Sequence, residues 1–340
     1  MKNLLIQLVT WNGEKYIPFL FESLKKQTYT DWEICILDNA STDNTVEKIK
    51  KELEDVSFLY TLLEEKENKG FAGGHNILYK KYESKFVLFL NQDMYLSSDC
   101  LEKMVKYLEN NNDVTGVSPR LMRWNFEQKQ FTPDVDALGL KVFRNRRVVE
   151  QYTKQNWNEI KKNFKSNELE VFGLSGAFPM FRRSALVDIL FEDGTLFDEN
   201  YHSYKEDVDL AYRLRSVGHK SVILLDTVVY HDRTGAGPKE LDTRSTLKNK
   251  KEQKEWVKYQ SYKNHLMNLI KNEYWQNVIL DFFPIKWYEL RKFFWFLFFE
   301  RKPLKGLFEI WRLRRTLFER RKFIQKNKKV SYKEMRKWWK

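Results

Sequence analysis

The stretch LLIQLVTWNGEKYIPFLFESLKKQTYTDWEICILDNASTDNTVEKIKKEL, residues 4–53, decides the fold class. Its runs LLIQLVT and EICILD have the length and composition of buried strands. Between them, apolar residues recur at helical spacing, at Ile17, Leu20, Phe21 and Leu24. A second helix is predicted over Thr45–Leu53, behind the cap-forming run 39–43. Strand, helix, strand and helix in this order predict parallel strands joined by helical crossovers.

The same alternation continues outward along the chain. VSFLYTLL is a third predicted strand, KGFAGGHN a glycine-rich turn before a helix, and FVLFL (86–90) a fourth strand followed by a helix over about 99–110. Residues 125–170 are polar and predicted to be irregular. FDENYHSYKEDVDLAYRLRSVG (197–218) predicts a charged helix, and SVILLDTVVYHD (221–232) a further strand. The predicted fold is α/β, a Rossmann-like, mostly parallel sheet flanked by helices.

Composition narrows the class of protein. The chain has 340 residues and is 42% hydrophobic, which supports a packed core and argues against disorder. Its only cysteines, Cys35 and Cys100, exclude a disulfide framework and a cysteine-based zinc site, and they suit a reducing cytosol. The N-terminal apolar run contains Gln7 and lacks a small-residue cleavage site, so we interpret it as a strand rather than a signal peptide.

Basic charge is concentrated at the C-terminus. The net charge is +13, and residues 301–340 hold 16 Lys/Arg against 3 Asp/Glu, which accounts for all of it. FFWFLFF (293–299) is apolar but too short to span a bilayer, and residues 303–324 alternate apolar residues with arginines. We expect helices that lie in a membrane interface. Nucleic-acid binding and self-association through Trp and Phe are the alternatives.

Polar residues follow four predicted strands. They are Trp11-Asn12, Asp38, Asn91-Gln92-Asp93 and His231-Asp232. The carboxyl ends of parallel strands meet at one edge of a sheet, so we expect these residues to line one cleft. A single aspartate at a strand end is more often a helix or turn cap, but four such clusters together favour a site.

Several motifs occur together in the order of one enzyme family. They are LVTWNGEKYIPFLFESLKKQTYTDWEICILDNASTDNT, NKGFAGGHN, FLNQD, LSGAFPMFRR, FDENYHSYKEDVDLAYRLRSVG and YHDRTGAG. Over residues 3–270 the chain resembles glycosyltransferase family 2, inverting sugar-nucleotide transferases with the GT-A fold. The nearest sub-pattern is that of the rhamnosyltransferase-like group, and DALGL (136–140) resembles a segment that this group carries.

The resemblance implies a nucleotide-sugar site. Asp38 would accept a hydrogen bond from a pyrimidine base, and glycines would let the backbone approach the donor. The full set of implied donor-binding residues is Thr10, Trp11, Asn12, Asp38, Asn39, Gly70, Gly73, Gly74, Asn76, Asn91, Gln92 and Asp93.

A divalent metal is expected beside the donor diphosphate, where negative charge grows as the bond breaks. Mg²⁺ and Mn²⁺ prefer carboxylate oxygens, and Mn²⁺ also accepts imidazole, which makes Asp93 a candidate ligand. The family places an Asp-x-Asp motif here, and Asn91 replaces its first aspartate. By resemblance His231 completes the metal shell; a turn-capping role is the alternative.

A catalytic base is expected because the acceptor hydroxyl must lose its proton as it attacks. Glu206 and Asp207 lie at a predicted helix N-terminus, which favours ionised carboxylates, although such acids are common without any catalytic role. The family places its base at Asp207. Ser175, Gly176 and Arg182 are expected on the acceptor side, with surface pairing as the alternative for the arginine and for its neighbour Arg183. Residues 233–239 are predicted to close over the donor.

Together these patterns predict a glycosyltransferase domain over residues 1–255, with a nucleotide half (about 1–120) and an acceptor half (about 121–255), and a membrane-associating region over 256–340. The expected donor is dTDP-rhamnose, or a UDP-sugar, and the expected acceptor is a cell-surface glycan or lipid-linked glycan. The enzyme is expected on the cytoplasmic face of the cell membrane, bound to anionic lipid. A nucleotidyltransferase with a similar sheet is the rival enzyme.

Overall fold

A computed structural model describes residues 2–126, 128–232 and 254–340. The predicted closing loop 233–239 lies outside the described residues. The strands are β1 (Leu4–Thr10), β2 (Trp32–Asp38), β3 (Leu59–Glu64), β4 (Phe86–Leu90), β5 (Met94–Leu96), β6 (Val114–Asn125), β7 (Gln130–Ala137), β8 (Leu140–Val142), β9 (Val148–Glu150), β10 (Glu168–Val171), β11 (Met180–Arg182) and β12 (Lys220–His231).

The helices follow the same alternation up to β4 and then dominate the C-terminal region. They are α1 (Ile17–Lys25), α2 (Thr45–Leu53), α3 (Gly70–Lys81), α4 (Cys100–Asn110), α5 (Trp157–Ile160), α6 (Arg183–Val187), α7 (Glu206–Ser216), α8 (Glu255–Asn272), α9 (Trp275–Leu280), α10 (Phe282–Phe299), α11 (Lys305–Arg312), α12 (Arg314–Asn327) and α13 (Tyr332–Arg336).

One large sheet organises the chain up to residue 231, with strand order β10-β12-β6-β11-β4-β1-β2-β3. β1 runs parallel to β2 and β4, β2 is parallel to β3, and β6 is parallel to β12, whereas β11 is antiparallel to both neighbours. The predicted mostly parallel α/β sheet is therefore confirmed. In register, Thr10 lies beside Asp38 and Leu8 beside Leu90, so the exits of β1, β2 and β4 share one edge.

Both faces of the central strands are covered, which explains why the strands are apolar along most of their length. Because side chains alternate between faces, Leu4, Ile6 and Leu8 join one core cluster and Leu5 joins another, with Leu78 of α3. This double burial holds the strand exits rigidly in place.

The prediction of an irregular region at 125–170 is wrong for much of its length. β6 extends to Asn125 and pairs with β7, and β8 pairs with β9 in a separate two-stranded sheet. β7 reads QFTPDVDA, and its exposed outer half dilutes the apolar signal that an inner strand gives.

Among the helices of the described residues, none has both the length and the apolar character that crossing a membrane requires.

Candidate active site

Side chains tie the exits of the central strands together. The Gln92 amide accepts a hydrogen bond from the Trp11 backbone N–H at 3.0 Å and donates to the Trp11 carbonyl at 3.1 Å. The Asn12 side-chain oxygen accepts from the Thr42 N–H at 2.8 Å, which fixes the loop after β2. Trp11 itself is 53% exposed at the surface of this edge. The predicted convergence of these strand exits is therefore present.

The two carboxylate oxygens of Asp38 have different surroundings. Its Oδ2 accepts from the Ser41 N–H at 2.9 Å, which is the cap role that the sequence left open. Its Oδ1 is buried and has no hydrogen-bond partner among the described residues, and the same holds for Thr10 Oγ1 on the neighbouring strand. Buried polar atoms are rarely left unpaired, so these two atoms are suited to face a ligand.

Other predicted donor residues have structural contacts. The Asn39 amide donates to the Gly70 carbonyl at 3.0 Å, and the Asn76 side-chain oxygen accepts from the N–H groups of 196 and 197 at 3.0 and 2.9 Å. Gly73 and Gly74 lie inside α3 rather than in a turn before it, and a Cβ on Gly74 would stand 2.8 Å from Val9 Cγ1. Gly74 lets α3 pack closely on β1, and the approach of both glycines to a donor stays a prediction.

A histidine between two carboxylates forms the most polar part of the site. His231 Nε2 lies 3.2 Å from Asp93 Oδ2, and His231 Nδ1 lies 2.8 Å from Asp136 Oδ2. β5 brings them together, because Met94, next to Asp93, pairs with His231 of β12. Burial opposes the charge of the imidazole, but the two carboxylates outweigh it and raise the pKa of His231 to about 10.

Asp136 is the member of this group that the sequence analysis did not assign. It is fully buried on β7. The signal was present, since DALGL places an aspartate between apolar residues of a strand, where a charge persists only with a partner. Its position fits that of a carboxylate that holds the outer nitrogen of a metal-binding histidine and so fixes the ring.

The donor set suits a hard divalent cation. Asp93 offers an oxygen and His231 offers Nε2, on the side of the ring away from Asp136. In the parts of the chain that are described, no three His, Cys, Asp or Glu side chains are grouped to hold an ion by themselves. A cation here therefore needs further oxygens from a bound ligand, as Mg²⁺ commonly takes from substrate phosphates.

Two acidic residues open α7. Asp207 accepts hydrogen bonds from the Gly176 N–H at 3.2 Å and from the Val208 N–H at 2.7 Å. Burial raises the pKa of both carboxyl groups, and the charge of Asp207 adds to the effect at Glu206, whose pKa rises to about 8. The hydrogen bonds from the backbone N–H groups and the charge of Lys205 oppose this rise and lower the pKa of Asp207. Asp207 is thus a hydrogen-bonded carboxylate with a raised pKa, next to Glu206, whose pKa is about 8.

A short backbone path joins this acid pair to the histidine site. The Asn91 N–H donates to the Ala177 carbonyl at 3.1 Å, and the neighbouring Gly176 N–H donates to Asp207. A Cβ on Gly176 would stand 3.3 Å from the Asp207 Cβ, so glycine allows this close contact. The exit of β4 and the start of α7 therefore share one wall of the cleft.

The loop that leads into α7 is strained and clamped. His202, Tyr204 and Lys205 have φ values of 58°, 71° and 67°, which non-glycine residues rarely adopt. Asn264 of α8 donates to the carbonyls of 201, 203 and 204 at 2.9, 2.9 and 2.7 Å, and Lys271 of α8 lies 2.6 Å from Asp198. The helix α8 thus holds the 198–205 loop in place.

Arg182 does not belong to this site, contrary to the prediction. It pairs with Phe86, the first residue of β4, whereas Asp93 follows the last, so Arg182 lies at the opposite edge of the sheet. Its guanidinium donates to the Leu108 carbonyl at 2.5 Å, near the C-terminal end of α4. Ser175 is next to the site, and its hydroxyl donates to Glu150 at 2.8 Å.

Known proteins resemble the chain in sequence. The profile of Glycosyl transferase family 2 matches residues 6–190. A poly(ribitol-phosphate) beta-N-acetylglucosaminyltransferase, TarS of Staphylococcus aureus, is 29% identical over 192 residues, covering 53% of this chain and 33% of that protein. A poly(ribitol-phosphate) beta-glucosyltransferase of Bacillus spizizenii is 24% identical over 283 residues, covering 75% of this chain and 44% of that protein. The chain thus spans about a third to under a half of these relatives.

Solved structures share the fold. TarS residues 1–349 in complex with UDP superpose with a TM-score of 0.50 at 18% identity, covering 81% of this chain and 67% of that one. The mannosyltransferase PcManGT of Pyrobaculum calidifontis, in complex with GDP-Man and Mn²⁺, superposes with a TM-score of 0.51 at 17% sequence identity. The match covers 91% of this chain and 75% of that one. The predicted GT-A fold is confirmed. Because the family profile covers more than half of the chain, the protein belongs to glycosyl transferase family 2.

Proposed function

We propose that the protein transfers a sugar from a UDP-sugar to a cell-wall polymer of the teichoic-acid type, by a single inverting displacement. The observation that carries this proposal is the wall shared by the Asp93–His231 pair and Asp207, joined through Asn91 and the 176–177 backbone. A cation-binding pair beside a candidate base is what displacement of a nucleoside diphosphate requires.

The donor nucleotide is assigned to the edge formed by β1 and β2. Asp38 Oδ1 is a buried acceptor without a partner among the described residues, and a uracil N3–H is a matching donor. TarS has been solved with UDP, which favours UDP over the dTDP-rhamnose first expected from the rhamnosyltransferase-like pattern. Trp11 and Asn12 would border the nucleotide, and Gln92 holds the Trp11 backbone through two hydrogen bonds.

Asp93 and His231 would hold a divalent cation, Mn²⁺ or Mg²⁺, next to the diphosphate. The cation would supply positive charge to the leaving group. Asp136 keeps the imidazole turned toward Asp93. PcManGT carries Mn²⁺, which agrees with this choice of ion. With Asn91 in place of the usual aspartate, His231 takes a larger share of binding.

Asp207 would accept the proton of the acceptor hydroxyl. The N–H groups of Gly176 and Val208 aim its carboxylate, and its raised pKa makes it a better base at neutral pH. Glu206, with a pKa of about 8, would donate a hydrogen bond to the acceptor in its protonated form. Ser175 and Gly176 border the acceptor side.

The acceptor class follows from the relatives, which act on poly(ribitol-phosphate). We infer a polyol-phosphate or lipid-linked glycan acceptor at the cytoplasmic face of the cell membrane, with the enzyme bound peripherally. Self-association of the C-terminal helices stays a prediction. Family membership argues against a nucleotidyltransferase and a nucleic-acid-binding protein.

A nucleotide-release screen tests the proposal. UDP-GlcNAc, UDP-glucose, dTDP-rhamnose and GDP-mannose are each incubated with Mn²⁺ or Mg²⁺ and with poly(ribitol phosphate) or poly(glycerol phosphate). We expect acceptor-stimulated release of UDP that is abolished by EDTA. Release of pyrophosphate, or release from dTDP-rhamnose alone, would overturn the donor assignment.

A further inference from the structure

The surface of the C-terminal helices is unusually apolar. Fourteen of the 21 exposed large apolar side chains among the described residues lie between positions 275 and 318. Exposed apolar areas of this extent mark a binding surface rather than ordinary solvent-facing protein. The members of this set are Trp275, Ile279, Leu280, Phe282, Phe283, Trp287, Leu290, Phe294, Phe298, Phe299, Leu307, Phe308, Trp311 and Phe318.

Helix α10 presents its apolar side outward. At about 100° per residue, five of its seven exposed large side chains fall within one quarter of the helix circumference. We call this stripe the aromatic face; it consists of Phe283, Trp287, Leu290, Phe294 and Phe298. Phe283, at 81% exposed, is almost fully presented to the surroundings.

The opposite side of α10 is the one that contacts the protein, and it is partly charged. Ile285 and Phe296 are buried there, and Glu289 Oε1 lies 2.7 Å from Nε2 of His265 on α8. Lys292 is also turned inward, with its side chain 11% exposed. A helix at a water-facing surface turns its apolar stripe toward the protein, whereas α10 turns a stripe of large apolar side chains outward, which suits an apolar medium outside.

Charge around the aromatic face has one sign. The acids of this region face inward, and two of them pair with lysines of α8, Glu300 with Lys258 at 3.0 Å and Glu309 with Lys263 at 2.9 Å. Between 275 and 318 every exposed charged residue is a cation. These are Lys286, Arg291, Arg301, Lys302, Lys305, Arg312, Arg314 and Arg315. On α10 itself, Lys286 and Arg291 flank the aromatic face on its two sides.

We propose that the aromatic face of α10 lies in the surface of an anionic lipid bilayer, with Lys286 and Arg291 reaching up to the phosphates. Aromatic residues favour the boundary between acyl chains and headgroups, and basic side chains extend to the polar layer. The 18-residue helix would lie in the plane of the bilayer, since the charges at 286, 289, 291 and 292 exclude a span.

A second copy of the chain fits this surface less well. In a two-fold dimer the same face meets itself, so the flanking cations Lys286 and Arg291 would approach their own copies. Like charges brought together at an interface oppose association. An anionic leaflet meets both the apolar stripe and its cationic border.

The aromatic face is connected to the catalytic region through α8. Glu289 bonds to His265 of α8, and Trp256 at the start of α8 makes ring contacts with His202 and Tyr204 at 5.8 and 5.7 Å. The surface therefore places the 198–205 loop near the bilayer. The idea that this contact presents a lipid-linked acceptor to Asp207 depends on the proposed function. The binding of the aromatic face to lipid does not depend on it.

Vesicle flotation without donor or metal tests the inference independently of activity. The full chain is mixed with vesicles of phosphatidylcholine alone or with phosphatidylglycerol. We expect binding to the anionic vesicles that weakens with salt. Lys286→Glu with Arg291→Glu should lower partitioning at least about 20-fold, from about fivefold per lost cation. Trp287→Ser with Phe294→Ser should lower it at least about tenfold.

Matched controls carry the same changes elsewhere on the surface. Lys51→Glu with Lys66→Glu, and Leu59→Ser with Tyr60→Ser, alter exposed residues of the nucleotide half and should bind vesicles within about twofold of wild type. Equal binding by the face variants and their controls would overturn the proposal. So would a dimer in sedimentation velocity that only Trp287→Ser with Phe294→Ser dissolves, since that result assigns the face to a second copy.

Discussion

A substitution of Asn264 tests how the 198–205 loop is held in place. Its side chain is fully buried on α8, and its amide N–H₂ donates to the three carbonyls of residues 201, 203 and 204. Asn264→Leu keeps the approximate volume and removes these donors. Two net hydrogen bonds at about 1 kcal/mol each, and the cost of leaving buried carbonyls unpaired, give a loss of about 3 kcal/mol in the free energy of unfolding.

For a chain of 340 residues this loss corresponds to a fall in Tm of about 4 °C, which differential scanning calorimetry would detect. The 198–205 loop holds three residues at positive φ, and it relaxes once its clamp is removed. Because the loop leads directly into Asp207, we expect kcat for UDP release to fall at least about tenfold, with KM for the donor unchanged.

Gln260→Met is the matched control. Gln260 is also buried on α8, and no hydrogen bond from its side chain occurs among the described residues. This variant should keep kcat within about twofold. If Asn264→Leu lowers Tm but leaves kcat at the wild-type value, α8 supports the fold without positioning the base, and the reasoning is refuted.

Three further outcomes are expected. Asp136→Asn should weaken Mn²⁺ binding about 10- to 100-fold, measured by electron paramagnetic resonance of free Mn²⁺; unchanged affinity would exclude its positioning role. Since the pKa of His231 is about 10 and the metal needs the neutral ring, Mn²⁺ affinity of the wild type should rise steadily from pH 6.5 to 8.5, and a flat profile would contradict His231 as a ligand. The pKa of Glu206 is about 8 in the folded protein, which is above its value in the unfolded chain. The raised pKa therefore contributes stability that is complete below about pH 4.5 and is lost as the pH rises to 8. Glu206→Gln should therefore raise the free energy of unfolding above pH 8 by a few kcal/mol and change it little at pH 5; equal pH profiles in urea titrations would refute this.

The nucleotide half was predictable because its signals are local. β1, β2 and β4 are mostly apolar strands with little exposure, and a polar residue stands at the end of each strand or directly after it. Residue spacing alone therefore placed Asp38 and Asp93 next to the cleft.

The remaining features depend on tertiary contacts that no local pattern encodes. Asp136 is 95 residues from His231 in sequence, and their contact requires the pairing of β6 with both β7 and β12. Arg182 follows a plausible motif, but the antiparallel direction of β11 places it at the far edge. The clamp on the 198–205 loop comes from α8, about 60 residues further along the chain.

The central claim is that Asp207 is the base of a sugar transfer that begins from a bound UDP-sugar. The most direct measurement compares Asp207→Asn with wild type for two quantities, transfer to poly(ribitol phosphate) and affinity for the UDP-sugar with Mn²⁺ by calorimetry. The amide keeps the size of the side chain and an oxygen that can accept from Gly176, but it cannot take a proton. We predict that transfer falls by about 10² to 10⁴ while donor affinity stays within about twofold. Transfer at the wild-type rate would contradict the account.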